Sequence, residues 1–487
     1  MSFTRLTSDK LAQITGGHWH RQPPAHFTML STDTRTIADG GLFVALTEGQ
    51  TDGHDHLEQL NPDQHQAALV ERQTEHPIAQ LVTPDTAQAL QAIARHIAQN
   101  ITAQKLALTG SFGKTGTKEM LAVMLAADGP THANKGNYNN HIGLPLTLAD
   151  MPENTAFLVT EMGMNHSGEI SRLSQLVQPH ITGITCISDA HRGHFSSVED
   201  IAHAKAEIFE GLRGDGIAVL PRDDEFFPTL KAAAQARGCH NIITFGTDQH
   251  SDIRLISTTA TDEGQSVRIR QTRDADSPDE MVFSLGMHAP HWALNSLCAA
   301  AMAFAAGVPF DMSFAALADM TDLPGRGRHI RLDVENTNVL LIDDSYNAGP
   351  RSLRASLEYF ASRNERRKSL ILSDMRELGS YSAEAHAELV QPVASTGASH
   401  FFAIGPEMSS VARSCGKKAH TNCFDDAQQM LSWMTSEEFS ADMLGDAVLV
   451  KGSHGSGAWK IADHLAACYG ATSDKAASSS QGAPDAA

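Results

Sequence analysis

The sequence predicts an α/β protein of three domains, each built on a largely parallel sheet. Short apolar runs alternate with helix-like stretches along most of the 487 residues, a pattern that implies parallel strands with helices on their faces. One of those runs feeds a glycine-rich loop that opens a helix, "LALTGSFGKTGTKEML" at 106–121. The glycine- and proline-rich "DLPGRGRH" at 322–329 then makes a hinge into a further α/β segment. With 41% hydrophobic residues the chain can fill about three cores, on a prior of roughly 150 residues per domain.

Residues 1–103 carry the strand-like "GLFVAL" and "AQLVT" among turn signals and end in a helical stretch, "TAQALQAIARHIAQN", which reads as a small α/β domain. Residues 104–328 run through "KLALTG", "TAFLVTEMG", "ITGITCISDAH" and "GIAVL" to the helix "HWALNSLCAAAMAFAAG", a central phosphate-loop domain on a parallel sheet. Residues 329–468 hold "NVLLIDDSYN", "SLILSDMRELG", "HFFAIG" and "AVLVKGSHGSG", a Rossmann-like α/β domain. The small, polar, low-complexity residues 469–487 are expected to form a disordered tail. No internal repeat is evident.

Composition excludes several classes. Lysine and arginine total 37 against 57 acidic residues, and a net charge of -20 repels nucleic acid and anionic membrane. The start lacks the apolar core of a signal peptide, and the longest apolar run, 297–310, is too short to span a bilayer. A cytoplasmic protein without membrane insertion is expected. The six cysteines show no C-x-x-C pairing and read as reduced, mostly buried thiols.

Ligands of open α/β sheets collect at the carboxyl ends of the strands. Here those ends carry the loop after "KLAL", Glu161, His191, Asp343 with Asp344, and Lys451. In the loop, Gly110 and Gly113 let backbone amides converge on phosphate, the next helix points its positive end at the anion, Lys114 adds charge and Thr115 offers a hydroxyl to magnesium. The loop is T-G-x-x-G-K-T, shorter than G-x-x-x-x-G-K-[ST], because Leu108 stands where the standard pattern has glycine. Glu161 fits a magnesium ligand.

With these residues in place the chain resembles the Mur ligases, ATP-dependent amide ligases of peptidoglycan assembly, whose phosphate loop has the T-G-S-x-G-K-T form. More narrowly it is similar to members that join D-alanyl-D-alanine to UDP-N-acetylmuramoyl-tripeptide. The resemblance spans residues 28–465 and rests on "STDTRTIADGGLFVAL", "GNYNNHIGLPLTL", "EMGMNHSGEI", "AHRGHFSSVEDIAHAKAEIF", "GRG", "DDSYNAGPRSLRASL", "SDMRELG" and "KGSHGSG". It implies that Gly110, Ser111, Gly113, Lys114, Thr115, Asn295, Arg326 and Asp344 bind ATP, and that Thr115, Glu161, His191 and Lys205 surround two magnesium ions. Lys205 matches a lysine that the family carbamylates, which turns a cation into an anionic ligand. Lys114, Lys205 and His191 are the implied catalytic residues. Asp33, Thr34 and Arg35 would help seat the UDP sugar, making residues 1–103 the UDP-substrate domain. Asn139, Asn140, Tyr346 and Asn347 complete the substrate contacts, and a monomer is expected.

The chain departs from the family pattern at three places. Trp292 replaces a common Asn, which suggests stacking on adenine; Gly116 replaces a frequent Thr; and "NAGP" with Gly349 replaces "NANP". Alternatives are another amino-acid ligase of the family, which lacks support because "DDSYNAGP" does not carry D-Y-A-H and no D-N-P-R occurs, and an ATPase that makes no amide. A zinc hydrolase built on His18/His20 or His54/His56 is weaker still, since no carboxylate–histidine set accompanies them.

Overall fold

Three large sheets succeed one another along the chain, with a two-stranded ribbon of Thr47–Glu48 and Thr51–Asp52 beside the first, in this computed structural model, which describes residues 3–470 except 50, 190, 191, 275, 277, 335, 336, 417 and 418. The first has five strands in the order His18–His20, Ala79–Val82, Ala67–Val70, Leu42–Val44 and Leu30–Ser31, parallel except for the antiparallel edge His18–His20. Its core runs without a break into the second unit. Leu90, Ile93 and Ile97 of helix Thr86–Asn100 join Leu146, Leu148, Leu158 and Leu176 in one buried cluster.

The second sheet has nine strands, with Gln104–Thr109 flanked by Phe157–Glu161 on one side and Ile181–Ile184 on the other. The chain leaves this strand toward Thr131–Ala133 on one side and leaves its neighbour Ile181–Ile184 toward Ile217–Pro221 on the other, so the carboxyl ends of these two strands open at a topological switch point, the usual place for a ligand crevice. Helices cover both faces there, and the strands read as continuous apolar runs for that reason. The sheet is parallel except at one edge, where strands Ile253–Thr261, Gly264–Gln271 and Glu280–Leu285 form an antiparallel meander.

The third sheet has six strands, Arg328–Val334, Thr337–Asp344, Ala447–Lys451, Lys368–Ser373, His400–Ile404 and His420–Phe424, parallel after the first antiparallel pair. The hinge before it bends through Gly325 and Gly327, at φ +68° and +81°, where side chains are strained. Asp343 pins the bend, its carboxylate accepting from the Gly325 amide at 2.9 Å and its backbone carbonyl from the Gly327 amide at 2.9 Å.

Two further expectations are corrected. Order extends past 468: helix Ala458–Tyr469 includes Tyr469, and Gly470 bridges Leu332, because Tyr469 still packs on the third core. The rest of the expected tail lies outside the described residues. All six cysteines are free, yet only Cys239 and Cys298 are buried, while Cys423 and Cys468 are exposed on the surface of the third unit.

Candidate active site in the cavity between the second and third sheets

A cavity of about 500 Å³ lies where the carboxyl ends of the second and third sheets face each other. The phosphate loop forms its floor. Ser111 ties the loop to the strand-end segment 185–188: its amide donates to the Cys186 carbonyl at 2.9 Å, and its hydroxyl accepts from the Ser188 amide at 2.8 Å. Gly110, at φ +154°, lies so close to Thr185 that an added Cβ would fall 1.9 Å from the Thr185 hydroxyl oxygen. Gly113, at φ +77°, starts helix Lys114–Ala126, and no side chain caps that first turn. By contrast, helix Val198–Ala206 starts in a full capping box from Ser197 and Asp200. Bare first-turn amides beside a lysine favour an anion.

Lys114 donates to the Gly110 carbonyl at 2.9 Å, and burial lowers its pKa from the ordinary lysine value while the Glu161 carboxylate opposes that shift. Glu161 is 2% exposed. Its Oε1 accepts from the Asn139 amide nitrogen at 2.8 Å, and its Oε2 is buried with no partner among the described residues. A buried carboxylate oxygen without a donor is costly unless a cation or proton meets it. With the Thr115 hydroxyl nearby in the cavity wall, it makes a hard-oxygen pair of the kind magnesium takes.

Lys205 is 1% exposed in helix Val198–Ala206, and its ammonium makes no hydrogen bond or ion pair among the described residues. Its pKa is driven well below the ordinary value, chiefly by desolvation and next by the Lys114 charge. The shift favours the neutral, nucleophilic form of the amine. His191 lies outside the described residues.

The third unit closes the cavity. Arg326 of the hinge donates to the Thr115 hydroxyl at 3.0 Å and lies 3.9 Å over the ring of Tyr346, so one side chain spans both units. Register places Asp344 beside Lys451, and the two pair at 2.7 Å, with the Lys451 side chain 3% exposed; Ser356 also donates to Asp344 at 2.6 Å. Lys451 donates again to the Asn347 carbonyl at 3.1 Å. His291 lines the cavity, and desolvation pushes its pKa down to about 4.

Of the residues singled out in the sequence, Ser111, Gly113, Lys114, Thr115, Asn139, Glu161, Asn295, Arg326, Asp344, Tyr346 and Asn347 line this one cavity. Asn140 does not; its side-chain oxygen accepts from the Ile142 and Gly143 amides and caps helix Gly143–Ala149. Asp33 and Arg35 lie in the first unit as a surface ion pair at 2.8 Å, and Thr34 donates to Gln59. Trp292, expected to stack on adenine, also lines the cavity, but its side chain is 1% exposed and its six-membered ring packs on Gly116. Tyr359 and Arg351 of helix Pro350–Ser362 also line the cavity. Neither sits at a strand end or in a glycine-rich loop, and the resemblance assigns neither a role.

The fold and this site define an ATP-using class of ligase, and the comparisons agree. Residues 108–303 match the Mur ligase middle domain, and residues 327–454 match the Mur ligase, glutamate ligase domain. The chain belongs to the Mur ligase family. Within it, the chain is 31% identical over 435 residues to the UDP-N-acetylmuramoyl-tripeptide–D-alanyl-D-alanine ligase of Rickettsia prowazekii, covering 89% of this chain and 94% of that one. It is 32% identical to the Escherichia coli protein of the same name, covering 87% and 90%. A crystal structure of MurF from Acinetobacter baumannii superposes with a TM-score of 0.81 at 30% identity, over 94% of this chain and 98% of that one. The MurF ligase of Thermotoga maritima, solved in complex with ADP, shares the fold at a TM-score of 0.74 and 23% identity, over 90% and 96%.

Proposed function

We propose that this chain is an ATP-dependent ligase that joins D-alanyl-D-alanine to UDP-N-acetylmuramoyl-tripeptide in the synthesis of peptidoglycan precursors. The observation that carries the reading is the meeting, in one cavity, of an uncapped phosphate-loop helix, Lys114 and a buried acid with an unpaired oxygen, closed over by the third unit. The relatives that match over most of their length bear the name of that activity.

In the reaction a terminal carboxylate oxygen of the UDP-tripeptide attacks the γ-phosphorus of ATP. The bond to the β–γ bridging oxygen breaks, and ADP leaves. The amine of the dipeptide then attacks the acyl carbon and loses a proton; the carbon–oxygen bond breaks, and phosphate departs with an oxygen from the carboxylate. Gly110, Ser111, Gly113 and Lys114 hold the phosphates, with Lys114 offsetting charge as it moves between oxygens. Asn295 presents a buried Nδ2 without a partner among the described residues, and Arg326 and Asp344 complete the nucleotide's surroundings. Tyr346, Asn347 and Asn139 serve the acyl and amine substrates, while residues 1–103, through Asp33, Thr34 and Arg35, seat the UDP sugar. The third unit, residues 329–468, keeps water from the acyl phosphate when closed on residues 104–328.

Thr115, Glu161, His191 and Lys205 are the residues that would hold two magnesium ions. Such ions neutralise the polyphosphate and lower the barrier to charge transfer. As an ammonium Lys205 does not fit a cation site; as a carbamate, formed by attack of its neutral amine on carbon dioxide with loss of a proton, it does. No helix among the described residues is long and apolar enough to cross a membrane.

ADP release measured with each substrate omitted tests this reading. Release that requires both the UDP-tripeptide and the dipeptide, and that is lost in Lys114→Ala, supports it. Release with ATP alone points to an ATPase, and release only with a single amino acid as acceptor points to another ligase of the family.

A further inference from the structure

Helix His291–Ala305 meshes with the start of helix Lys114–Ala126 at two points of matching spacing. A Cβ at Gly113 would lie 2.6 Å from the Asn295 side-chain oxygen, and a Cβ at Gly116 would lie 1.9 Å from Cζ3 of Trp292 and 2.6 Å from its Cη2. Residues three apart share a helix face, so Asn295 and Trp292 are two knobs entering two glycine notches. Between the notches stand Lys114 and Thr115. Gly113 needs glycine for its φ of +77°, but Gly116 has no positive φ and needs it for space alone. Glycine inside a helix is unfavourable relative to alanine, so the indole must have a use for the space. Trp292 is 1% exposed, and its Nε1 is buried without a partner among the described residues. Buried tryptophans usually pair that group, so the position is set by the shape of the ring and not by its hydrogen bond.

We propose that Trp292 is a positioning residue for the phosphate loop, acting through Gly116 to fix Lys114 and Thr115. The inference rests on the reading of this loop as the ATP site. Interiors are close-packed and pass on displacement, so a methyl at 116 pushes the loop helix off the indole and moves the two residues between the notches.

Calorimetric ADP binding, with thermal melting in parallel, tests this on Gly116→Ala, Trp292→Leu and the double variant of the full chain. With the indole in place, Gly116→Ala weakens ADP binding by about tenfold or more; in the Trp292→Leu background, where the outer ring atoms are gone, the same change costs about twofold or less. Affinity for the UDP-tripeptide, seated by the first unit, stays constant throughout. Should Gly116→Ala fail to fold alone, recovery of folding and ADP binding in the double variant is the expected result. An equal cost of Gly116→Ala in both backgrounds, or no cost in either, overturns the inference alone. Absence of ADP binding by the unaltered protein would overturn the ATP reading and this inference with it.

Discussion

Lys205 and Lys114 are neighbouring cations in a place that disfavours both charges. Desolvation is the leading cause for each, and mutual repulsion adds to it at Lys205. The two differ in what surrounds them. Lys114 has the Gly110 carbonyl, whereas Lys205 has no donor or acceptor among the described residues, which is what a lysine awaiting carbamylation would show. Lys205→Ala should lose most ligase activity, and formate or acetate occupying the vacated space should restore part of it. Lys205→Arg should not be rescued, because it fills the space with a permanent cation. Near-normal turnover of Lys205→Ala without added carboxylate would sink the metal-bridging role. A second residue-scale prediction concerns His329. Its ring stacks 4.3 Å from His288 and meets the Tyr359 hydroxyl at 3.2 Å, with Asp322, Arg363 and Glu365 around it. Desolvation, followed by the charge on His288, pushes its pKa down to about 4. Unfolded, it protonates near the usual 6.5, so its contribution is present above that pH and is lost as pH falls toward 4, a change of roughly 2–4 kcal/mol. His288 has the opposite sign: its hydrogen bond to Asp322 raises its pKa, so its contribution is present below 6.5 and fades as pH rises through the raised value. Melting curves of His329→Gln should therefore lose part of the acid-side slope; a slope identical to the parent's would contradict the assignment.

Elements bring these residues together by topology, and this sets what could be read beforehand. Glu161, Asp344, Lys451 and the phosphate loop sit at the ends of strands that read as apolar runs, because the strands are buried on both faces. Their convergence was therefore legible from order alone. The meander 253–285 was not, since its alternating, half-exposed strands lack the helical spacers that announce a parallel sheet. Nor was the fit of Trp292 on Gly116, because packing between two helices leaves no period in either one. The closure contact was equally hidden. The Gly193 amide donates to the Glu377 carbonyl at 2.8 Å, and the Gly193 and Gly379 backbones touch. A Cβ at 193 would lie 2.8 Å from that carbonyl oxygen and 2.9 Å from the Gly379 nitrogen, so only glycine lets the second and third units meet there. Gly193→Val should hold them apart, with turnover falling by about tenfold or more while ADP affinity, set by the loop, stays near the parent value. Unchanged turnover would show that this contact is not part of the working closed form.

The whole molecule is a chain of three sheets with one shared seam. Apolar residues of helix Thr86–Asn100 and of the second unit form a single cluster, so removing residues 1–103 would strip cover from Leu146, Leu148 and Leu158. Truncation is thus a poor probe of the first unit, and a surface change is a better one. Arg35 is 69% exposed and pairs with Asp33. Arg35→Ala should raise the KM for the UDP-tripeptide by about tenfold while leaving ADP binding and melting temperature unmoved; an unmoved KM would detach the "DTR" stretch from substrate. A net charge of -20 sets the surface as a whole against polyanions, which leaves the local cations Lys114, Arg326 and Lys451 of the cavity to meet an anionic ligand. The central claim is that the chain activates a carboxylate with ATP and hands the acyl group to a dipeptide amine. Mass spectrometry of a reaction begun with UDP-N-acetylmuramoyl-tripeptide whose terminal carboxylate carries heavy oxygen tests it most directly. The account predicts a product heavier by one dehydrated D-alanyl-D-alanine unit, formed together with inorganic phosphate that carries one heavy oxygen. Unlabelled phosphate, or phosphate released with no gain in mass of the UDP-peptide, would contradict it.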